Sequence, residues 1–240
     1  MMKKILITAV VLLATLYGIW QLSSARSYQL FGELVHRVDT NDKVIALTFD
    51  DGPSKRYTDQ VLAILSAEQV TATFFVTGKE TKQNLPQARQ LLAAGHQLGN
   101  HSYNHPRMLL MSPTAVASEI EQTDAAIRSA GYKGDILFRP PYGKKLLVLP
   151  WYLAKHNRTT IMWDLEPETD PKLANNAQSM VAYVINNAKP GSIVLLHVMY
   201  QSRQASREAL PQIIQGLKQK GYRFVTVDEL LAAGSKAKPA

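Results

Sequence analysis

The 240-residue chain contains no cysteine. That excludes a disulfide framework and a thiolate metal site, so a bound metal has to use Asp, Glu or His. The absence is compatible with an oxidising compartment without requiring one. Charged residues make up 19% of the chain and hydrophobic ones 46%. This balance suits one globular domain with a sizeable core and a short extension. No internal repeat and no low-complexity tract stands out. No basic run is interleaved with aromatics, so nucleic acid is not among the expected partners. The charge that is present leans one way, with a net +8 and a pI of about 9.6. A basic surface is either simply solvated or drawn to anionic envelope polymers and membrane lipids.

Residues 1–26 read apart from the rest. Lys3 and Lys4 precede a mostly apolar run over 5–20, a basic segment followed by a hydrophobic one. Ser23-Ser24-Ala25 offers small residues for cleavage after Ala25. The run is short against the ~20 apolar residues of a spanning helix, yet Tyr17 and Trp20 suit a membrane interface. A cleaved signal peptide and a retained anchor are both open. Either exports the domain, as a periplasmic protein or one anchored in the inner membrane facing outward. A buried N-terminal helix is the plain structural alternative. Residues 27–42 read as a polar linker, 43–233 as the catalytic domain and 234–240 as a mobile tail.

From residue 43, apolar runs alternate with helical patterns. Strands are expected over 44–49, 71–76, 97–100, 136–139, 159–163, 192–197 and 223–227. Helices are expected between them, one of them opened by Ser112-Pro113 and stopped by Gly131. Alternation implies parallel strands and right-handed crossovers. Asp50, Asp51, His101, Arg139, Asp164 and His197 each fall at or just past a strand end. In a β/α barrel those ends share one face, where active sites form.

The centre of the pattern is Thr48-Phe49-Asp50-Asp51-Gly52-Pro53, an apolar strand ending in two acids and a turn. Charges there are costly unless paired or bound. A cap or turn acid would explain one aspartate; two adjacent ones favour a metal or acid–base site. His101-Ser102-Tyr103-Asn104-His105 sets two imidazoles at i and i+4, one face of a helical turn. Asp51, His101 and His105 make a ligand set with room for water, the pattern of a catalytic metal site. A metal so held lowers the pKa of bound water and polarises a carbonyl. Nitrogen and oxygen donors favour zinc, with cobalt, nickel or iron as alternatives.

These motifs, with Arg139-Pro140-Pro141-Tyr142-Gly143 and Leu195-Leu196-His197 in the same order, resemble those of the NodB-type polysaccharide deacetylases, carbohydrate esterase family 4. The resemblance runs from residue 43 to about 231. It implies an α/β fold, an irregular barrel of about seven parallel strands. It implies a metal-dependent hydrolase that removes N-acetyl groups from an amino-sugar polysaccharide or glycan of the cell envelope. It further implies Asp50 as general base, Arg139 as its orienting partner, the Tyr142 backbone N–H as an oxyanion donor and His197 as general acid. Leu195 resembles the residue lining the acyl-methyl pocket, with plain core packing as the alternative.

The fourth motif departs from the family. In Trp163-Asp164-Leu165-Glu166-Pro167-Glu168-Thr169-Asp170, Glu166 replaces the first aspartate and the usual Asp-Trp pair is missing. Glu166 or Asp164 is then expected to tune His197, and a chitin-like substrate is in doubt. Lys144-Lys145 beside the arginine motif are either solvated or hold an anionic group on the substrate. Tyr200 either stacks on a sugar or packs. The rival readings are a deformylase or deacylase of a lipid-linked amino sugar, a decayed glycan-binding protein, and a glycosidase pairing Asp50 with Glu166. An iron oxygenase is a further reading of the ligand set. The sequence sets no oligomeric state.

Overall fold

The computed structural model describes the backbone of residues 1–236 and the side chains to residue 234. The elements, in chain order, are α1 (Met2–Ser24), β1 (Leu34–Val35), β2 (Val44–Asp50), α2 (Thr58–Ala67), β3 (Thr73–Val76), α3 (Gly78–Gln83), α4 (Leu85–Ala93) and β4 (Gln97–Asn100). There follow α5 (Pro113–Ala130), α6 (Val148–Lys155), β5 (Thr160–Ile161), α7 (Ala177–Asn187), β6 (Ile193–His197), α8 (Gln204–Gln219), β7 (Arg223–Val225) and α9 (Val227–Lys236).

β2 is buried along its whole length. It has no polar face because parallel strands are covered on both sides. Ile45, Leu47 and Phe49 point outward into a layer formed with Val61 and Leu65 of α2, Val184 of α7 and Ile213 of α8. Val44 and Ala46 point the other way, against Phe75, Ile161, Trp163 and Leu195. With a period of two, Thr48 and Asp50 fall on this inner face as well. All ladders of β2 are parallel, to β3, β6 and β7. Their register places Asp50 opposite both Phe75 and His197.

The sheet order β4-β3-β2-β6 is carried onward by isolated bridges, Asn100 to Phe138, Phe138 to Thr160 and Leu165 to Val194. The result is an irregular β/α barrel with thin joins. The strand expected over 136–139 survives only as the Phe138 bridge, because Pro140 and Pro141 stop further pairing. Residues 27–42, expected as a linker, are partly built in. Leu34 and Val35 pair with Thr160 and Ile161, and Val38 is buried. Residues 234–236, expected in the tail, continue α9; the rest of that expected tail lies outside the described residues. Helix α5 starts and stops where expected. Ser112 accepts from the Ala115 N–H, and Gly131 takes the left-handed conformation with φ 107°.

Asn100 ties the barrel to its outer layer. It is fully buried, and its amide donates to Ile120 O at 2.8 Å and Asp124 Oδ1 at 2.7 Å while accepting from the Ser102 N–H at 2.8 Å. Asn100→Ala leaves the buried Ser102 N–H without its partner and removes the tie to α5. We expect a loss of about 2 kcal/mol in urea unfolding and a displaced His101 loop; an unchanged midpoint would contradict this role.

Candidate active site

The strand ends open into one cleft of about 500 Å³ whose lining includes Asp50, Asp51, His101, His105, Leu195 and His197. Arg139 lies beneath it, fully buried. Its Nη1 donates to Asp50 Oδ1 at 2.7 Å and to Thr48 Oγ1 at 2.8 Å. Its remaining nitrogens donate to the carbonyls of Ile161 and Met162. The guanidinium also lies 4.1 Å from the centre of the Phe75 ring. Every nitrogen of this cation therefore donates a hydrogen bond, as a buried charge requires. Burial alone would raise the Asp50 carboxyl. Arg139, with His101 and His197, outweighs it and holds Asp50 below the ordinary carboxylate range.

Asp51 follows at the end of β2 with φ 75°, its N–H donating to Phe75 O at 3.0 Å. That left-handed step turns its carboxylate into the cleft, away from the strand's alternation. Gly52 is also left-handed, and a Cβ there would lie 2.6 Å from Met199 Cγ. The histidine pair does not sit on a helical turn as the spacing implied. It lies on a loop in which Ser102 and His105 have φ of 65° and 58°. Asn100 Oδ1 accepts from the Ser102 N–H and Ser102 Oγ accepts from the His105 N–H, so side chains replace the helical ladder. The rings still meet, with centroids 4.9 Å apart.

Donor atoms of Asp51, His101 and His105 all lie within 4.8 Å of one another. His101 Nδ1 donates to the Arg139 carbonyl at 2.8 Å. A carbonyl only accepts, so Nδ1 carries a proton and Nε2 is the nitrogen turned to the cleft. One carboxylate and two oriented imidazoles fit a divalent metal with an open position.

His197, at the end of β6, is held by Glu168, which sequence reasoning passed over. Both carboxylate oxygens accept from the His197 N–H at 3.0 Å, Oε2 also pairs with Nδ1, and Ser206 Oγ donates to Oε1. Burial opposes a charged imidazole here. The hydrogen bond and charge of Glu168, joined by Asp50 and Asp51, prevail and push His197 up to about 9. Glu166 does not reach it. Its Oε2 instead accepts from Trp163 Nε1 at 2.7 Å and pairs with Arg26 at 2.8 Å. Asp164 turns away to Ser192 Oγ and the Ile193 N–H. The signal for Glu168 was its place two residues past the expected carboxylate, with Pro167 starting a short 3-10 turn that aims it inward.

Tyr142 has φ 57° and lies outside the hydrogen bonds of its own turn, which Gly143 and Lys144 make to Pro140 and Pro141. Its ring packs 4.6 Å from His105 and 4.6 Å from the Arg107 guanidinium. Leu195 lines the cleft and also packs in the inner core, so the two readings of it coincide. Tyr200 donates to Glu80 Oε1 at 2.9 Å, and the other Glu80 oxygen accepts from the Gly52 N–H at 2.9 Å. Glu80, unremarked in the sequence, thereby braces the aspartate turn from outside. Lys144 and Lys145 are not solvated; both are buried against the end of α1.

The polysaccharide deacetylase family model matches residues 37–161. A peptidoglycan-N-acetylglucosamine deacetylase of Bacillus cereus is 36% identical over 83% of this chain and 93% of its own length. The chain belongs to the polysaccharide deacetylase family. The peptidoglycan-N-acetylmuramic acid deacetylase PdaC of Bacillus subtilis is 36% identical over 80% of this chain but only 40% of its own length. Among solved structures, the Bc1960 peptidoglycan N-acetylglucosamine deacetylase superposes with a TM-score of 0.76 at 31% identity, covering 82% of this chain and 92% of that one. A family 4 pseudoenzyme from Bacillus anthracis superposes equally well, with a TM-score of 0.76 at 29% identity, covering 85% and 70%. Family membership makes this chain a hydrolase of the metal-dependent N-deacetylase kind, and donor atoms of its Asp51, His101 and His105 lie close enough together to hold a metal ion.

The pairing with Glu168 has a direct readout. In metal-free protein the His197 imidazole should titrate near 9 by NMR, and Glu168→Gln should bring it down toward the ordinary ~6.5. Because the folded value is raised, the associated stability is fully present below ~6.5 and is lost as pH rises through about 9. An unshifted His197 in the wild-type chain would overturn the assignment.

Proposed function

We propose that this chain hydrolyses the N-acetyl amide of an amino sugar in a cell-envelope glycan, releasing acetate and a free amine. The reading is carried by the meeting of a buried Arg139–Asp50 pair, a Glu168–His197 pair and the Asp51–His101–His105 set in one cleft. Two relatives named as peptidoglycan deacetylases, one for each amino sugar, support an envelope glycan. The decayed-site reading fares worse, because no member of the constellation is missing.

The residues divide the work by their charge. Asp50, kept ionised by Arg139, accepts a proton from the attacking water. The new C–O bond forms at the amide carbon, and the Tyr142 N–H donates to the oxygen on which negative charge grows. His197, kept protonated by Glu168, gives its proton to the nitrogen as the C–N bond breaks. Leu195 closes the acyl side against water. Asp51, His101 and His105 would hold the metal, with zinc favoured by donor type and cobalt, nickel or iron as competitors. When bound it supplies Lewis acidity toward water and the amide carbonyl.

The site acts outside the cytoplasm in this reading. Helix α1 is 23 residues long with a mean hydropathy of 2.1 in its most apolar window, and Lys3 and Lys4 lie at its start. Positive residues before the helix keep that end cytoplasmic and send the domain across.

The roles are separable by mutation. Asp50→Asn and His197→Ala should each lower deacetylation by about 10²–10⁴-fold while the protein keeps its zinc by elemental analysis. His105→Ala should lose the zinc as well as the activity. Loss of zinc in all of them would sink the acid–base assignments.

A further inference from the structure

The chain leaving α1 is part of the catalytic cleft. Ser24 and Arg26 line it together with Asp50, His101 and His197. Arg26 pairs with the buried Glu166 at 2.8 Å, and its guanidinium lies 5.0 Å from the Trp163 ring centre. Glu166 stands where the family carries an aspartate, and its function is now visible: it fastens the N-terminal segment to the cleft wall.

The attachment extends back to the helix end. The Lys145 N–H donates to Ser23 O at 3.0 Å, and its ammonium donates to Ala25 O. Lys144 donates to Ser24 Oγ and stands 3.5 Å from the Trp20 ring centre. Two cations at a helix C-terminus interact favourably with its dipole, and Lys145 caps the carbonyls of Ser23 and Ala25. Lys145 is only 2% exposed and makes no ion pair among the described residues, so the Ala25 carbonyl is what satisfies it. Ser23, also buried, cannot be reached by a peptidase in this arrangement. The small residues that resemble a cleavage site are the ones that let the helix end close onto 143–145.

The apolar length of α1 before Trp20 stands exposed. Its apolar window is 0% buried over a helix of 23 residues, about 34 Å at 1.5 Å per residue, enough for a ~30 Å hydrocarbon layer. Trp20 belongs at the interface, and Ser24 lies about 6 Å further along the helix at 1.5 Å per residue. The cleft mouth is therefore at headgroup level. Among the described residues Lys144 there has no carboxylate partner, and Arg203, also lining the cleft, has a buried Nε without a hydrogen-bond partner.

We propose that α1 is retained in the working enzyme and that Arg26 walls the cleft at the membrane surface, so that the substrate is an N-acylated amino sugar tethered to a lipid through an anionic link. This rests on the amide-hydrolase reading above. It replaces a long glycan strand by a substrate that arrives along the headgroup layer, its link passing Lys144 and Arg203.

The full chain, purified from membranes and loaded with zinc in vesicles, tests both parts. Intact mass and peptide mapping should find Lys3 and Lys4 still present; a chain beginning at Arg26 overturns the proposal. With an N-acetylglucosaminyl phosphate lipid in the same vesicles, kcat/KM should exceed that for soluble chitotetraose at least tenfold. Arg203→Ala should lower the lipid-substrate value about tenfold and the chitotetraose value far less. Equal rates on the two substrates, or equal losses in the variant, overturn the lipid-tethered substrate. Loss of both activities in wild-type protein would instead count against amide hydrolysis, and the mass would still decide the fate of α1.

Discussion

A guanidinium with no access to water stands under the whole site. Arg139 is held by one carboxylate, one hydroxyl and two strand carbonyls, and lies between aromatic rings. Breaking such a pair from one side leaves an uncompensated buried charge, at a cost of about 3–5 kcal/mol. Asp50 is thus needed by the fold as well as by the chemistry. The same arginine's carbonyl orients His101, so the proposed base and a proposed metal ligand are positioned by one residue. This coupling explains why the barrel tolerates thin joins elsewhere: the inner face is tied across the strand ends by polar contacts.

The backbone around the cleft is held in uncommon conformations. Asp51, Ser102, His105 and Tyr142 all have positive φ. For residues with a Cβ, each such position carries a cost of order 1–3 kcal/mol. The compensation is visible for three of them: Phe75 O for the Asp51 N–H, Asn100 for Ser102, and Ser102 for His105. The strain directs the side chains and N–H groups of these turns into a shared space that regular strand geometry would not reach.

Much of this was legible from residue types. Two aspartates ending an apolar run, paired histidines and an arginine among prolines are uncommon enough to point to one cleft; the alternation of patterns implies parallel strands with crossover helices, and the family resemblance adds the irregular barrel. The failures share a cause. The spacing of His101 and His105 matched a helix, but side-chain bonds from Asn100 and Ser102 built a loop with the same meeting of rings. Glu166 was expected at His197 because it occupies the aspartate position; the turn at Pro167 brings Glu168 there instead. The linker reading of 27–42 missed β1 because a two-residue strand leaves no periodicity. Local pattern reports which chemistry is present. It does not report which of two neighbouring acids a turn will aim inward.

Glu166 and Glu168 together show how a single altered motif separates two tasks. One carboxylate two residues further along the turn keeps His197 charged. The carboxylate left at the usual position is freed to bind Arg26, with burial raising its pKa and Arg26 and Trp163 lowering it. Unpaired, Glu166 at that depth would repel Asp50 and disfavour its own ionised form. Arg26 opposes both effects, and it does so only while the N-terminal segment is in place. Lys145 makes the same demand from the opposite side, with burial first and Lys144 second lowering it to about 8. A site whose acidic wall needs Arg26 and whose basic wall needs the Ala25 carbonyl is electrostatically complete only with the end of α1 docked, and that end carries the span with it.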